Sequence, residues 1–151
     1  MNKRIIIGSD HGGYDLKEYL ISHLKEQGYE VQDVGTNSKD SCNYPDFALK
    51  VALAVQKGDF ERGLVVCTSG EGVAIMANKV KGVRCGIGYN EEVSHLIVEH
   101  NDANMMALGA KYLAKEEAAK YVDAFLNAKH LGERHAKRVS IIKDYEEKVY
   151  R

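Results

Sequence analysis

The sequence predicts an α/β protein: a three-layer, doubly wound sheet of five parallel strands with a helix added at the C-terminal end. Short β-branched runs alternate with longer segments of helical period, and each run ends in small or polar residues. Parallel neighbours need crossover connections, and the helical segments between the runs supply them, so both faces of the sheet are expected to be covered. In such sheets ligands sit beyond the carboxyl ends of the strands where strand order reverses, typically between strands one and three.

Strand one is the isoleucine-rich run Arg4–Ser9. A helix follows over residues 13–27, with Leu16, Tyr19, Leu20 and Leu24 on one face, and Gly28 stops it. Strand two covers residues 30–34. After a polar loop, Tyr44 and Pro45 open a helix that runs to about Lys57; the only proline stands in its first turn, where an N–H has no helical partner to lose. Strand three covers residues 63–67, and its helix begins near Gly70. Strand four covers residues 83–88, followed by a helix over Glu91–Glu99 and strand five over Met105–Gly109. A helix over residues 115–128, a polar connector containing Gly132 and a charged amphipathic helix over residues 135–150 complete the chain. No internal repeat, low-complexity tract or linker interrupts it, so residues 1–151 read as one domain.

The 21 basic and 22 acidic residues nearly cancel, so no global field recruits nucleic acid or an anionic membrane surface, and any bound anion must be held locally. Cys42, Cys67 and Cys85 are an odd number without C-x-x-C spacing, which argues against a disulfide framework and a zinc knuckle and fits a reducing cytoplasm. The apolar run ending at Gly8 is too short for a signal peptide, and no stretch approaches the ~20 residues of a membrane span.

The switch-point rule selects two segments: Ser9 to Gly13 after strand one, and Cys67 to Gly72 after strand three. Cys67 ends an apolar strand ahead of a small-residue turn into a helix. Its thiol would face free backbone N–H groups and the positive end of a helix dipole, which favour the thiolate. Gly70 and Gly72 permit close backbone approach to a ligand and Ser69 adds a hydroxyl, so the same loop can stabilise a developing oxyanion. Cys85, by contrast, reads as a small buried hydrophobe. A C-x5-R phosphatase loop would need an arginine where Val73 stands, and neither G-K-[ST] nor a dinucleotide fingerprint is present, so no nucleotide site is expected. Asp10 and His11 bring a carboxylate and an imidazole to the same crevice, able to move a proton or grip an anion. On spacing alone capping is the commoner role for an aspartate ahead of a helix. His95 and His100 lie five apart, about 140° around a helix axis, unlike the one-sided pair of a helix-borne zinc site, and no metal is expected. His100 closes the fourth helix, where an imidazole ordinarily complements the dipole. Arg134 and Arg138, four apart near His135, either form a fork for phosphate or line a solvated face with Glu133 or Asp144.

Asp10-His11, Tyr44-Pro45, Cys67 with its glycine loop, Ala77-Asn78-Lys79, His100-Asn101-Asp102-x-Asn104 and Gly132-x-Arg134-His135-x-x-Arg138 resemble, in this order, the ribose-5-phosphate isomerase B family. The resemblance implies a Rossmann-like fold and a metal-free, cofactor-independent aldose–ketose isomerisation of the pentose phosphate pathway, proceeding through an enediolate. Its substrate is a small sugar phosphate, handled in sites shared between subunits of a homodimer or of a dimer of dimers. By residue, it makes Cys67 the base between C1 and C2, assisted by Ser69, with backbone N–H groups from Gly70 to Gly72 on the enediolate oxygen. His100 opens the furanose ring, Asp10 and Tyr44 place the sugar hydroxyls, Asn101 contacts the open chain, and His11, Arg134 and Arg138 hold the phosphate. Either Asp10 or His100 can serve the ring-opening proton transfer.

Thr68 stands where the family loop usually has its first glycine. A positive φ there would strain a β-branched residue by ~1–3 kcal/mol. Glu71 is expected to face solvent. Two other readings of the chain are an isomerase of a six-carbon sugar phosphate, such as allose or galactose 6-phosphate, and a non-catalytic sugar-phosphate sensor. A sensor would have no use for a base.

Overall fold

The computed structural model describes residues 2–150. The chain forms β1 (Arg4–Ser9), α1 (Tyr14–Glu26), β2 (Glu30–Asp33), α2 (Tyr44–Lys57), β3 (Arg62–Cys67), α3 (Glu71–Ala77), β4 (Cys85–Ile87), α4 (Glu91–Glu99), β5 (Met105–Gly109), α5 (Lys115–Asn127) and α6 (Glu133–Val149). The strands pair only in parallel, in the order β2-β1-β3-β5-β4. Strand order therefore reverses between β1 and β3, at the expected switch point.

Period-two alternation along the central strands divides their side chains between two cores. Ile5, Ile7, Leu64, Val66, Met106 and Leu108 face Leu16, Leu20 and Leu24 of α1, Ile97 and Val98 of α4, and Val122 and Phe125 of α5. Ile6, Val65, Cys67, Met105 and Ala107 face Ala48, Val51, Ala52 and Val55 of α2 and Val73, Ala74 and Ala77 of α3. Burial of apolar residues on both sides of the sheet supplies the main driving force for this layering. Lys17 shares the buried face of α1 with Leu20, Ile21 and Leu24 and has no exposed side-chain surface; its ammonium is held by Asp33 at 2.9 Å and Glu18 at 2.8 Å.

Strand four is shorter than its sequence suggests. Val83 closes a turn onto Val80, and the Arg84 N–H is taken by the Asn104 side chain, so only Cys85–Ile87 joins the ladder. The Asn78 side chain completes this edge by donating to the Cys85 carbonyl and accepting from the Cys85 N–H, as a neighbouring strand would. The last helix starts two residues earlier than its amphipathic pattern indicates, after Gly132 at φ 75°. Only His135, Val139 and Glu146 of α6 are buried.

Candidate active site

The expected site residues fall into two groups. The first lies beyond the carboxyl ends of β1 and β3. Asp10 Oδ1 accepts from the Gly13 N–H at 3.1 Å, the capping role that spacing favoured. His11 Nδ1 accepts from the Cys42 N–H at 3.2 Å, which leaves the ring's other nitrogen to carry the proton of the neutral form. Cys42 had no assigned role in the sequence, yet its backbone fixes this imidazole.

Cys67 is 5% exposed, and its Sγ accepts from the Gly70 N–H at 3.1 Å. Such a bond strengthens as the acceptor gains negative charge. Gly70 holds φ 81° at the entrance to α3, where an added Cβ would stand 3.0 Å from the Gly109 backbone nitrogen. Ser69 Oγ accepts from the Glu71 N–H at 3.2 Å, and Glu71 itself is exposed. The Gly70 and Glu71 amides are thus engaged locally. Gly72 stands in the first turn of α3, where an N–H has no intrahelical partner. Tyr44 lies over Gly72 so closely that a Cβ there would come within 2.6 Å of the ring.

Thr68 escapes the strain anticipated for it. Among the described residues only Asp102 and Glu133 combine a side chain with positive φ. The threonine hydroxyl fills the space that a Cβ on Gly12 would need, so the Asp10 and Cys67 loops pack together through this glycine. Beside them a cavity of about 440 Å3 is lined by Gly12, Asp15, Thr68, Lys111 and Lys115.

The second group gathers where α4 ends and α6 begins. The rings of His100 and His135 stack with centroids 4.2 Å apart and planes 8° apart. Arg134 and Arg138 are both exposed, one turn apart on α6. Burial, with His100, Arg134, Arg138 and His130 around it, holds the His135 imidazole below its ordinary value of 6.5. The sequence placed His135 only near a helix start; its pairing with His100 joins residues 35 positions apart and leaves no local signal.

The two groups occupy opposite ends of the sheet. Strands lead to Asp10 and Cys67, whereas α4 runs back against the strand direction and delivers His100 and Asn101 to the amino ends, just before β5. The five residues of β5 span ~17 Å. Within one chain Cys67 and His100 are therefore separated by roughly the length of β5.

Cys85 is half-buried against the second core rather than buried within it, and desolvation pushes its thiol up to about 12. Among the described residues no group of three or more His, Cys, Asp or Glu side chains is placed to hold a metal ion. No described helix is long and apolar enough to cross a membrane.

Proton linkage at His135 gives one expected result. Its folded-state value is depressed, so the unfolded chain binds the proton first as pH falls, and the associated stability is complete above 6.5 and lost on descent through the folded value. The urea midpoint should fall more steeply for the parent chain than for His135→Phe between about pH 7.5 and 5. Parallel profiles would show that His135 does not carry this linkage.

Comparison with known proteins agrees with this fold. The Ribose/Galactose Isomerase family model matches residues 5–142. Ribose-5-phosphate isomerase B of Escherichia coli is 40% identical over 149 residues, covering 97% of this chain and 98% of the relative. Among solved structures, ribose-5-phosphate isomerase B of Clostridium thermocellum superposes with a TM-score of 0.94 at 48% identity, covering 96% of this chain and 98% of that one. The enzyme of Mycoplasma genitalium, solved with bound ribulose-5-phosphate, gives 0.94 at 38% identity and covers 99% of both chains.

Proposed function

The chain belongs to the ribose/galactose isomerase family, and on that premise we propose that it interconverts ribose 5-phosphate and ribulose 5-phosphate in sites built by two copies, with Cys67 as the base. The observation that carries the chemical assignment is the Cys67 sulfur at the end of β3, aligned by the Gly70 N–H. After ring opening, the thiolate removes the C2 proton of the aldose and charge moves onto the carbonyl oxygen O1; a proton then passes from the O2 hydroxyl to O1 and the Cys67 thiol returns its proton to C1, which gives the ketose. Ser69 and the free first-turn amide of Gly72 are suited to O1. Asp10 and Tyr44 place sugar hydroxyls, and His11 offers one N–H to the phosphate.

His100, Asn101, Arg134 and Arg138 act on the sugar held at the partner's Cys67 loop. This follows from their place at the far end of the sheet, and the surface of α6 supports it. Ile141, Tyr145 and Val149 stand one turn apart and are 63%, 64% and 50% exposed, an apolar stripe suited to burial against a second copy. A homodimer, alone or paired into a dimer of dimers, completes the site, and three free cysteines fit a reducing cytoplasm.

A coupled assay comparing ribose 5-phosphate with allose 6-phosphate tests the substrate assignment. The five-carbon substrate should give the higher kcat/KM by roughly 10- to 200-fold, the range that one extra carbon commands. Preference for allose 6-phosphate would make the chain a six-carbon isomerase, and turnover of neither would leave a sensor. The phosphate grip is tested with Arg138→Ala and Lys137→Ala, which remove the same charge. Loss of the arginine should lower affinity roughly 10- to 150-fold, as for a charge-assisted hydrogen bond, and weaken inhibition by inorganic phosphate; the lysine variant should change little. Equal losses would return the arginine pair to a solvated surface.

A further inference from the structure

We propose that Arg84 is a positioning residue for the ring-opening step, fixing the turn that carries His100 and Asn101 out of α4. This rests on the His100 assignment above. The Arg84 guanidinium, with its side chain 15% exposed, reaches the turn at three points: Nε donates to the Asn101 carbonyl at 3.2 Å and the Asp102 carbonyl at 2.9 Å, and Nη2 meets Asp102 Oδ2 at 3.2 Å. Its main chain is tied to the same segment. The Arg84 N–H donates to Asn104 Oδ1 at 2.8 Å, and its carbonyl accepts from the N–H groups of Asn104 and Met105.

A helix end must dispose of its last carbonyls. Here Leu96 O is taken by the His100 N–H, Val98 O by the Asp102 N–H, Ile97 O by the Ala103 N–H and Glu99 O by the Leu131 N–H. That arrangement requires Asp102 at φ 51°, a conformation an aspartate tolerates at some cost. It also turns the Asn101 and Asp102 carbonyls outward, where only Arg84 meets them among the described residues. On the opposite side the His135 ring fixes the His100 imidazole. The turn is thus held from both sides, and the arginine is the member that sets the backbone direction. A planar fork makes contacts that a single ammonium cannot make at once. Asp102 and Asn104, to which no catalytic role is assigned, are the two side chains that engage this arginine.

Ribulose 5-phosphate separates the steps, because its C5 oxygen lies in the phosphate ester and leaves no hydroxyl to close a five-membered ring on C2. In D2O the Cys67 thiolate removes a C1 proton from this ketose, the resulting thiol exchanges with solvent, and a deuteron returns to C1, with no ring opened or closed. The experiment compares Arg84→Lys, Arg84→Met and His100→Ala for kcat/KM on ribose 5-phosphate, C1 deuterium uptake by ribulose 5-phosphate, and urea midpoint. Arg84→Lys, which keeps the charge, is expected to lose about 10- to 100-fold on ribose 5-phosphate, the scale of a 1 Å misplacement, while deuterium uptake per folded enzyme is retained. Arg84→Met should show the same split at a lower urea midpoint. Equal loss of both activities, or no loss of either, in Arg84→Lys overturns the proposal. If His100→Ala itself loses both activities equally, the ring-opening assignment is what fails, and the proposal goes with it.

Discussion

Replacing Cys67 by alanine is expected to abolish isomerisation, lowering kcat by ~10^2- to 10^4-fold, the contribution of a positioned general base, while inorganic phosphate still binds. The groups assigned to the phosphate, His11, Arg134 and Arg138, make no hydrogen bond with the cysteine, whose sulfur partner is the Gly70 N–H. Cys67 is packed among Val65, Val73 and Ala107 of one core, so alanine removes little more than the sulfur and the fold should persist. The other thiols serve as controls. Cys42 holds His11 chiefly through its backbone N–H, which Cys42→Ala keeps, and Cys85 is half-buried with its thiol pushed up to about 12. Both alanine variants should turn over normally. Deuterium uptake at C1 should vanish only in Cys67→Ala. Near-parental turnover in that variant would end the base assignment.

Most of the architecture was legible because this fold writes itself in local patterns. Arg4–Ser9, Tyr44–Lys57, Glu91–Glu99 and Met105–Gly109 were bounded by turn residues and by clear changes of period, and they appear where expected. Strand four was overextended because Val83 is apolar without being paired; a tertiary partner, the Asn104 side chain, takes the N–H of the next residue. Lys17 stands on the buried face of α1, and its partners there, Asp33 and Glu18, become visible only in the structure. The site was legible as residue types, and their spatial division followed from topology. A residue that ends a strand and a residue that ends a helix lie at opposite ends of a doubly wound sheet. Asp10 and Cys67 end strands; His100 and Asn101 end a helix. That rule was available in the sequence, whereas the His100–His135 stack and the Arg84 contacts join positions with no periodic relation.

Division of the site between two copies is the central claim, and mixing two inactive variants tests it most directly. In a two-fold dimer each site takes the Cys67 loop from one copy and the His100 turn from the other. Cys67→Ala and His100→Ala homodimers each carry the same lesion in both sites. A heterodimer of the two has one site with both lesions and one site with neither. Random reassociation of an equal mixture puts half the dimers in this mixed form, so about a quarter of parental activity towards ribose 5-phosphate should return. Activity no greater than the sum of the separate variants, with mixed dimers demonstrated by native mass spectrometry, would show that each chain completes its own site and would contradict the division.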